Sequence, residues 1–170
     1  MCNFLSALVL RNGDVLTHPM LDGHADLVTY FKLPDTTAYV QHFAKVELRP
    51  LDWGDVATWG WELDEETAPA WWADVAGGAE AELRARAARM ILREGEHCLI
   101  VDGCWIVSGT AVVLDVRAGR IVRVGGSAQI HDVWDSAQIH GVWDSAQIRG
   151  VGGSAQLDKS AKAHIAVGDA

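Results

Sequence analysis

The sequence has little of what secreted or membrane-spanning proteins are built from. Its three cysteines, Cys2, Cys98 and Cys104, are an odd number without a Cys-x-x-Cys pair, which indicates a reducing compartment rather than a disulfide framework. No apolar run in the chain is as long as the stretch of roughly 18 residues that spans a membrane. The N-terminus also lacks the basic segment and long apolar stretch of a signal peptide. We therefore expect a cytoplasmic protein without membrane contact.

Basic residues are scarce as well. The chain has 14 Lys and Arg residues against 23 Asp and Glu residues, which gives a net charge of −9. Binding to nucleic-acid phosphates needs clustered cations, so we expect no direct binding to nucleic acid. An acidic surface can imitate DNA towards a DNA-handling enzyme, but the need for solubility also accounts for the charge.

The region 1–107 alternates between strand and helix patterns, which predicts an α+β domain. Asn12-Gly13 lies between two apolar runs, and this dipeptide favours a hairpin because both turn residues tolerate positive φ. Asp22 is placed to cap a helix from about residue 23 to residue 32. The other predicted elements are strands at 43–48, 59–63, 98–101 and 105–107, a hairpin turn at Asp102-Gly103, a first helical turn at 69–72 and a helix at 80–92.

The C-terminal third contains a nine-residue repeat, and its units begin with Ser-Ala-Gln at positions 127, 136, 145 and 154. Apolar residues recur in three phases of the unit, and residues near Val112 keep the phase with a slip of one residue. Identical apolar residues at a short fixed period predict stacked, equivalent rungs. The three phases are Ala128, Ala137, Ala146 and Ala155; Ile130, Ile139, Ile148 and Leu157; and Val133, Val142 and Val151.

We interpret this repeat as a short parallel β-solenoid with two nonapeptides in each coil, because a single nonapeptide is too short to enclose a core. Asp135-Ser136 and Gly152-Gly153 are predicted to form corners. The calcium-binding G-G-x-G-x-D motif is absent from the sequence, so neither calcium nor another cofactor is expected. The predicted organisation is an α+β domain over 1–107, a nonapeptide-repeat solenoid over 108–159 and a C-terminal tail over 160–170.

Two tryptophans of the repeat are candidate interface residues. Trp134 and Trp143 should face outwards, because Val133 and Val142 next to them face the core. Exposed aromatic residues on a thin solenoid are typical of contact surfaces, and the unpaired edge of the last coil can pair with another chain. We therefore expect a homodimer or a higher closed oligomer, held largely by residues 127–157.

With these motifs the chain resembles a group of uncharacterised small proteins of phages and prophages. The resemblance covers most of the chain, and the repeat is its most distinctive part. It implies an accessory protein of phage type, active in the host cytoplasm, and it brings no catalytic residues. The segments that carry it are Met1-Cys2-Asn3-Phe4, Asp22-Gly23-His24, Asp64-Glu65-Glu66, Pro69-Ala70-Trp71 and the Val-Trp-Asp-Ser repeats.

Two segments of the N-terminal domain have residue types that support catalysis. Cys2 becomes the first residue if the initiator methionine is removed, and an N-terminal cysteine can act as nucleophile and base together. A small apolar residue at the start of a strand is the alternative interpretation. His18 and His24, with Asp22 and Asp26, are types that bind metals. A helix cap at Asp22 and a first-turn position for His24 explain this segment without a metal, so we expect none.

Two further sets of residues are candidates for ligand binding. His131 and Arg149 stack in a coil of two nonapeptides, where an anion could bind, whereas His140 falls on the opposite face. The alternative interpretation is a solvated outer face. Four tryptophans are candidates to line a groove for a planar ligand such as a nucleotide base, if Lys45, Arg84 or Arg86 offsets the acidic neighbours; core packing is the alternative. These tryptophans are Trp59, Trp61, Trp71 and Trp72.

These observations favour a non-enzymatic accessory protein that self-associates and acts by binding. Its target would be a host protein or a small nucleotide-like ligand that it sequesters. A small hydrolase that uses Cys2 or the His18/His24 region is the first alternative. A structural role, with the solenoid as an assembly spacer, is the second.

Overall fold

The computed structural model describes residues 5–34 and 41–158, and the chain divides into two compact units, Met1–Arg89 and Met90–Ala170. The first unit has an antiparallel sheet and two helices, and the second is a parallel β-solenoid. This confirms the predicted fold class. The elements of the first unit are β1 (Leu5–Leu10), β2 (Val15–Leu16), α1 (His24–Tyr30), β3 (Phe43–Arg49), a short 3₁₀ helix (Val56–Thr58), β4 (Gly60–Leu63) and α2 (Trp72–Arg89).

The first sheet has the strand order β2-β1-β3-β4, and all its neighbours are antiparallel. The predicted hairpin between β1 and β2 is confirmed. The turn differs from the prediction in one respect, because Gly13 has φ +90° whereas Asn12 does not have a positive φ. The N–H of Gly13 donates to the Leu10 carbonyl, and the N–H of Leu10 donates to the Asp14 carbonyl. The loop is therefore longer than a two-residue turn and needs only one left-handed residue.

Each helix of the first unit differs from the prediction in one respect. Gly23 precedes α1 and no side chain caps that helix, so the predicted cap at Asp22 is wrong. Asp22 instead accepts a hydrogen bond at its main-chain carbonyl from the Ser6 hydroxyl, at 2.6 Å. Helix α2 runs without a break from Trp72 to Arg89, whereas the sequence predicts a first helical turn at 69–72 and a separate helix at 80–92. The two are joined through Gly77 and Gly78, which have low helix propensity.

The second unit consists of two parallel sheets that face each other across an apolar interior. One sheet has the order β12-β10-β8-β6 and the other β13-β11-β9-β7-β5. The strands are β5 (Ile91–Leu92), β6 (Glu96–His97), β7 (Cys104–Val107), β8 (Val112–Val116), β9 (Arg120–Val124), β10 (Gln129–Val133), β11 (Gln138–Ile139), β12 (Gln147–Val151) and β13 (Gln156–Leu157).

The solenoid begins before the repeat is visible in the sequence. Parallel pairing of β5 with β7 and of β6 with β8 already builds coils from Ile91 onwards, whereas the sequence pattern placed the start at residue 108. The hairpin predicted at Asp102-Gly103 is wrong, because the strands on either side belong to different sheets. A tight turn with a positive-φ glycine is shared by hairpins and solenoid corners, so the local sequence does not separate them.

The interpretation of two nonapeptides per coil is confirmed by the strand register. Ile130 pairs with Ile148 and Ile139 pairs with Leu157, so each residue lies beside the one that is two nonapeptides further along the chain. The one-residue slip near Val112 is present too, since Val113 pairs with Ile130. All these aliphatic residues except Leu157 are buried in one continuous core.

Neighbouring corners of the solenoid combine an aspartate with a glycine. Asp135 and Asp144 have positive φ, and so do Gly153 and Gly126, their counterparts in the adjacent coils. The Asp144 carboxylate accepts a hydrogen bond from the Gly126 N–H at 2.9 Å. The aspartate therefore ties its own corner to that of the preceding coil, as expected of a short polar side chain in a left-handed position.

Candidate functional site

The C-terminal end of the solenoid exposes residues that the other coils bury. We call this surface the open end and define it as β12, β13 and the apolar residues Val151, Ala155 and Leu157. Val151 is 38% exposed, whereas Val133, at the same position one coil earlier, is fully buried. Ala155 and Leu157 are partly exposed, although Ala137 and Ile139 at the equivalent positions are buried.

The same end offers backbone hydrogen-bonding groups along two strand edges. The N–H groups of Gln156 and Asp158 donate back to the Ala137 and Ile139 carbonyls, at 2.9 and 3.1 Å. Within residues 5–34 and 41–158, no strand pairs with the outer edge of either β12 or β13. Such an edge is a template for another strand.

The two candidate interface tryptophans face outwards, as predicted, with 40% of Trp134 and 39% of Trp143 exposed. They differ in what their rings cover. A methyl group at Gly152 would lie 1.9 Å from the Trp134 ring, so this indole covers the corner of the last coil. The Trp143 ring lies over Gly141 and stacks on the Arg123 guanidinium, whose carbon is 4.3 Å from the ring centroid. The Trp134 ring therefore leans towards the following coil, whereas the Trp143 ring contacts Arg123 of the preceding coil.

His131 and Arg149 lie one coil apart at equivalent positions, as the anion site predicted from the sequence requires. His131 on β10 and Arg149 on β12 lie between paired residues of successive coils. Arg149 donates a hydrogen bond to the Gln129 side-chain oxygen at 2.7 Å. His140 follows β11 in the other sheet, so it does not join His131 in a single-chain site.

The tryptophans of the first unit separate into one core residue and a half-buried cluster. Trp59 is only 1% exposed, and its indole N–H donates to the Asp52 carbonyl at 2.6 Å. The rings of Trp61 and Trp72 are stacked, with centroids 6.1 Å apart, and Trp71 meets Trp72 edge-on at 6.5 Å. We call Trp61, Trp71 and Trp72 the aromatic surface. Rings in direct contact have centroids about 4.5–7 Å apart, so a flat ligand would lie on this surface rather than between Trp61 and Trp72.

The three cations considered as phosphate partners are each paired with a carboxylate. Arg84 pairs with Glu80 at 2.8 Å and also donates to the main-chain carbonyls of Val56 and Trp59. Arg86 pairs with Glu82, and Lys45 lies 3.8 Å from Glu65. These pairings weaken the argument for a phosphorylated ligand at the aromatic surface.

The histidines considered as metal ligands lie in different surroundings. His18 accepts a hydrogen bond from the Met20 N–H at 3.2 Å and packs against the Tyr30 ring. His24 instead groups with Glu47 and Asp64, and the potential ligand atoms of these three residues lie within 4.8 Å of one another. Cys2 lies outside the described residues.

Sequence reasoning missed Glu47 and Asp64, because both are far from His24 along the chain. The sheet brings them together: β3 and β4 pair with Glu47 opposite Glu62, and Asp64 directly follows β4. Arg49 forms ion pairs with two glutamates of this sheet. Its Nε lies 2.8 Å from Oε2 of Glu47, and its Nη1 lies 2.8 Å from Oε2 of Glu62. The hydrogen bond to Glu47 raises the pKa of Arg49 above its ordinary value, so Arg49 keeps its positive charge.

No protein-family model matches this chain, and neither a curated protein nor a solved structure matches it. Among the described helices, none is long and apolar enough to cross a membrane.

Proposed function

We propose that this protein is a non-enzymatic binding protein that self-associates through the open end of its solenoid. The observation that carries the proposal is the loss of cover at the last coil: Val151 is 38% exposed where Val133 is fully buried. Burying such aliphatic surface contributes about 25 cal/mol for each Å². The backbone N–H and C=O groups on the two strand edges would also form hydrogen bonds with the partner, in place of hydrogen bonds with water.

A second copy of the chain is the partner that fits this surface. It presents the same two edges and the same three apolar residues. A two-fold axis perpendicular to the solenoid would join β12 and β13 to those of the second copy in antiparallel pairs. Two-fold dimers with self-complementary surfaces are the commonest soluble oligomers.

The size of the open end predicts a reversible association. A five-residue strand is about 17 Å long and the two sheets are about 10 Å apart. The end of the coil therefore covers a few hundred Å², less than the roughly 800 Å² per partner of a standard stable interface. Dissociation should accordingly be detectable at concentrations of about 1 to 200 µM.

Sedimentation velocity over this concentration range tests the proposal. The parent protein should shift from monomer to dimer as its concentration rises. Val151→Lys should remain monomeric, because a charged group at the edge repels its symmetry mate, while its long stem can reach solvent without unfolding the coil.

Gln138→Lys is the matched control. It adds the same charge on β11, one coil further from the end, at an outward-facing position. It should dimerise like the parent protein. A parent protein that stays monomeric throughout, or a Val151→Lys variant that dimerises normally, contradicts the proposal. If the parent protein is monomeric, we would expect residues 159–170 of the same chain to cover the open end instead.

The aromatic surface is the second element of the proposed function, since it offers three half-buried indole rings to a binding partner. A host protein is the partner we favour, because Lys45, Arg84 and Arg86 are paired with carboxylates and do not offer phosphate contacts. This agrees with the accessory role implied by the resemblance to phage-type proteins. Sequestration of a neutral planar ligand is the alternative, and quenching of tryptophan fluorescence by the added compound would distinguish it.

A further inference from the structure

His24, Glu47 and Asp64 form a cluster of metal-binding residue types in the first unit. His24 is the first residue of α1, Glu47 lies within β3 and Asp64 follows β4. His24 is 6% exposed and Glu47 4% exposed, whereas the Asp64 side chain is largely open to solvent. The cluster is therefore buried on one side and accessible on the other.

The hydrogen bond at Nε2 fixes the orientation and the tautomer of the His24 ring. Nε2 lies 3.0 Å from the Val46 carbonyl oxygen. A carbonyl only accepts, so Nε2 carries the proton and donates it. A ligating histidine usually donates its second ring N–H to a carbonyl or carboxylate in this way.

The opposite nitrogen of the same ring faces a carboxylate. His24 Nδ1 lies 3.1 Å from Asp64 Oδ2. In the neutral ring with the proton on Nε2, Nδ1 has a lone pair, so two electron-rich atoms face each other. A cation must lie between or beside them to make this contact favourable, and either a proton or a metal ion can fill that role.

The charge of the surroundings favours a divalent ion over a proton. Glu47, Glu62 and Asp64 contribute three negative charges, and Arg49, which contacts the first two, contributes one positive charge. The group therefore has a net charge of −2 when His24 is neutral. A proton would leave half of that charge in a partly buried site, whereas a divalent ion would neutralise it.

We propose that His24 Nδ1 and the carboxylates of Glu47 and Asp64 bind one divalent transition-metal ion. One imidazole with two carboxylates suits Zn²⁺ or Mn²⁺, whereas Mg²⁺ prefers oxygen ligands alone. The Nδ1–Oδ2 distance is close to the roughly 3.3 Å edge of a tetrahedral zinc site with bonds of about 2.0 Å. Water would complete the coordination, and the ion would connect the start of α1 to β3 and β4.

Isothermal titration of the metal-free full chain with Zn²⁺ tests this site, with Mg²⁺ titrated separately. The parent protein should bind one equivalent of Zn²⁺ that Asp64→Asn weakens at least about tenfold, since it removes one ligand charge. Mg²⁺ should bind far more weakly. Zinc should also raise the melting temperature of the parent protein, because a ligand that binds only the folded state stabilises it.

His18→Ala is the matched control, because it removes a histidine of the same unit that is outside the cluster. This variant should retain the zinc affinity of the parent protein. Asp64→Asn is isosteric and lies at a largely exposed position, so its fold is expected to persist, and circular dichroism checks this. Equal zinc affinity in Asp64→Asn and the parent, loss of binding in His18→Ala, or no zinc binding by the parent each overturns the proposal.

Discussion

Trp134 and Gly152 occupy the same repeat position one coil apart, and the indole lies where a side chain at residue 152 would be. Adjacent coils are only about 4.8 Å apart, so large side chains at both positions would crowd each other. The pairing of Val-Trp-Asp-Ser with Val-Gly-Gly-Ser one coil later follows from this spacing. The alternation of tryptophan and glycine at this position is visible in the sequence. Its structural reason becomes clear only when two nonapeptides are known to form one coil.

The contact between Trp134 and Gly152 leads to a prediction about single residues. Gly152→Ala should destabilise the solenoid by about 1–3 kcal/mol, since the added methyl group overlaps the ring. In a Trp134→Ala background the same change should cost much less, because the overlap is gone. Chemical denaturation of the four proteins in a double-mutant cycle measures this coupling. Additive effects would show that the ring does not cover Gly152.

Among single residues, the outward direction of Trp134 and Trp143 was predictable because it depends only on alternation along a strand. The core position of Trp59 was not, because nothing nearby in the sequence indicates that its N–H reaches the Asp52 carbonyl. The cluster of His24, Glu47 and Asp64 was not predictable either, since it depends on which strands are neighbours. Sequence reasoning placed His24 with His18 instead, because they are close along the chain.

At the scale of elements, specific short-range sequence patterns predicted the correct structure. The hairpin between β1 and β2 followed from Asn12-Gly13, and the solenoid strands followed from the repeat. The continuity of α2 between its predicted first turn and residue 80 was missed because Gly77 and Gly78 interrupt the helix pattern. The early coils, from β5 to β7, were missed because their strands are short and their residues do not repeat.

Gly77 offers a direct test of α2. A side-chain carbon at this position would meet nothing within 4 Å, so alanine fits without strain. Gly77→Ala should therefore stabilise the first unit by about 0.5–1 kcal/mol, because glycine loses more backbone entropy in a helix. A urea denaturation curve measures the change. Destabilisation by this substitution would contradict the helical conformation assigned to residue 77.

At the scale of the whole molecule, the two units have different kinds of core. The first unit is closed by its own sheet and helices, whereas the solenoid is a repetitive structure in which each coil is covered by the next. Within residues 41–158 no further coil follows the last one, and the exposure of Val151 follows from this architecture. Self-association was expected from the sequence for this reason. The sequence did not indicate that Trp134 and Trp143 differ, because their repeats are nearly identical.

Trp134 and Trp143 make different contacts along the solenoid. They are one nonapeptide, or half a coil, apart, so they lie on opposite sides of the solenoid. The Trp134 ring covers the corner beside β13, through Gly152 of the following coil, while the Trp143 ring lies on Arg123 of the preceding coil.

Trp134→Ala should therefore weaken dimerisation, because it removes apolar area at the rim of the open end, whereas Trp143→Ala should not. Both variants lose the same aromatic mass from equivalent repeat positions, so each is the control for the other. Sedimentation equilibrium gives the two dissociation constants, with a difference of about tenfold expected for the loss of roughly 1.4 kcal/mol. If both substitutions weaken dimerisation equally, the interface lies on the sides of the solenoid and not at its end.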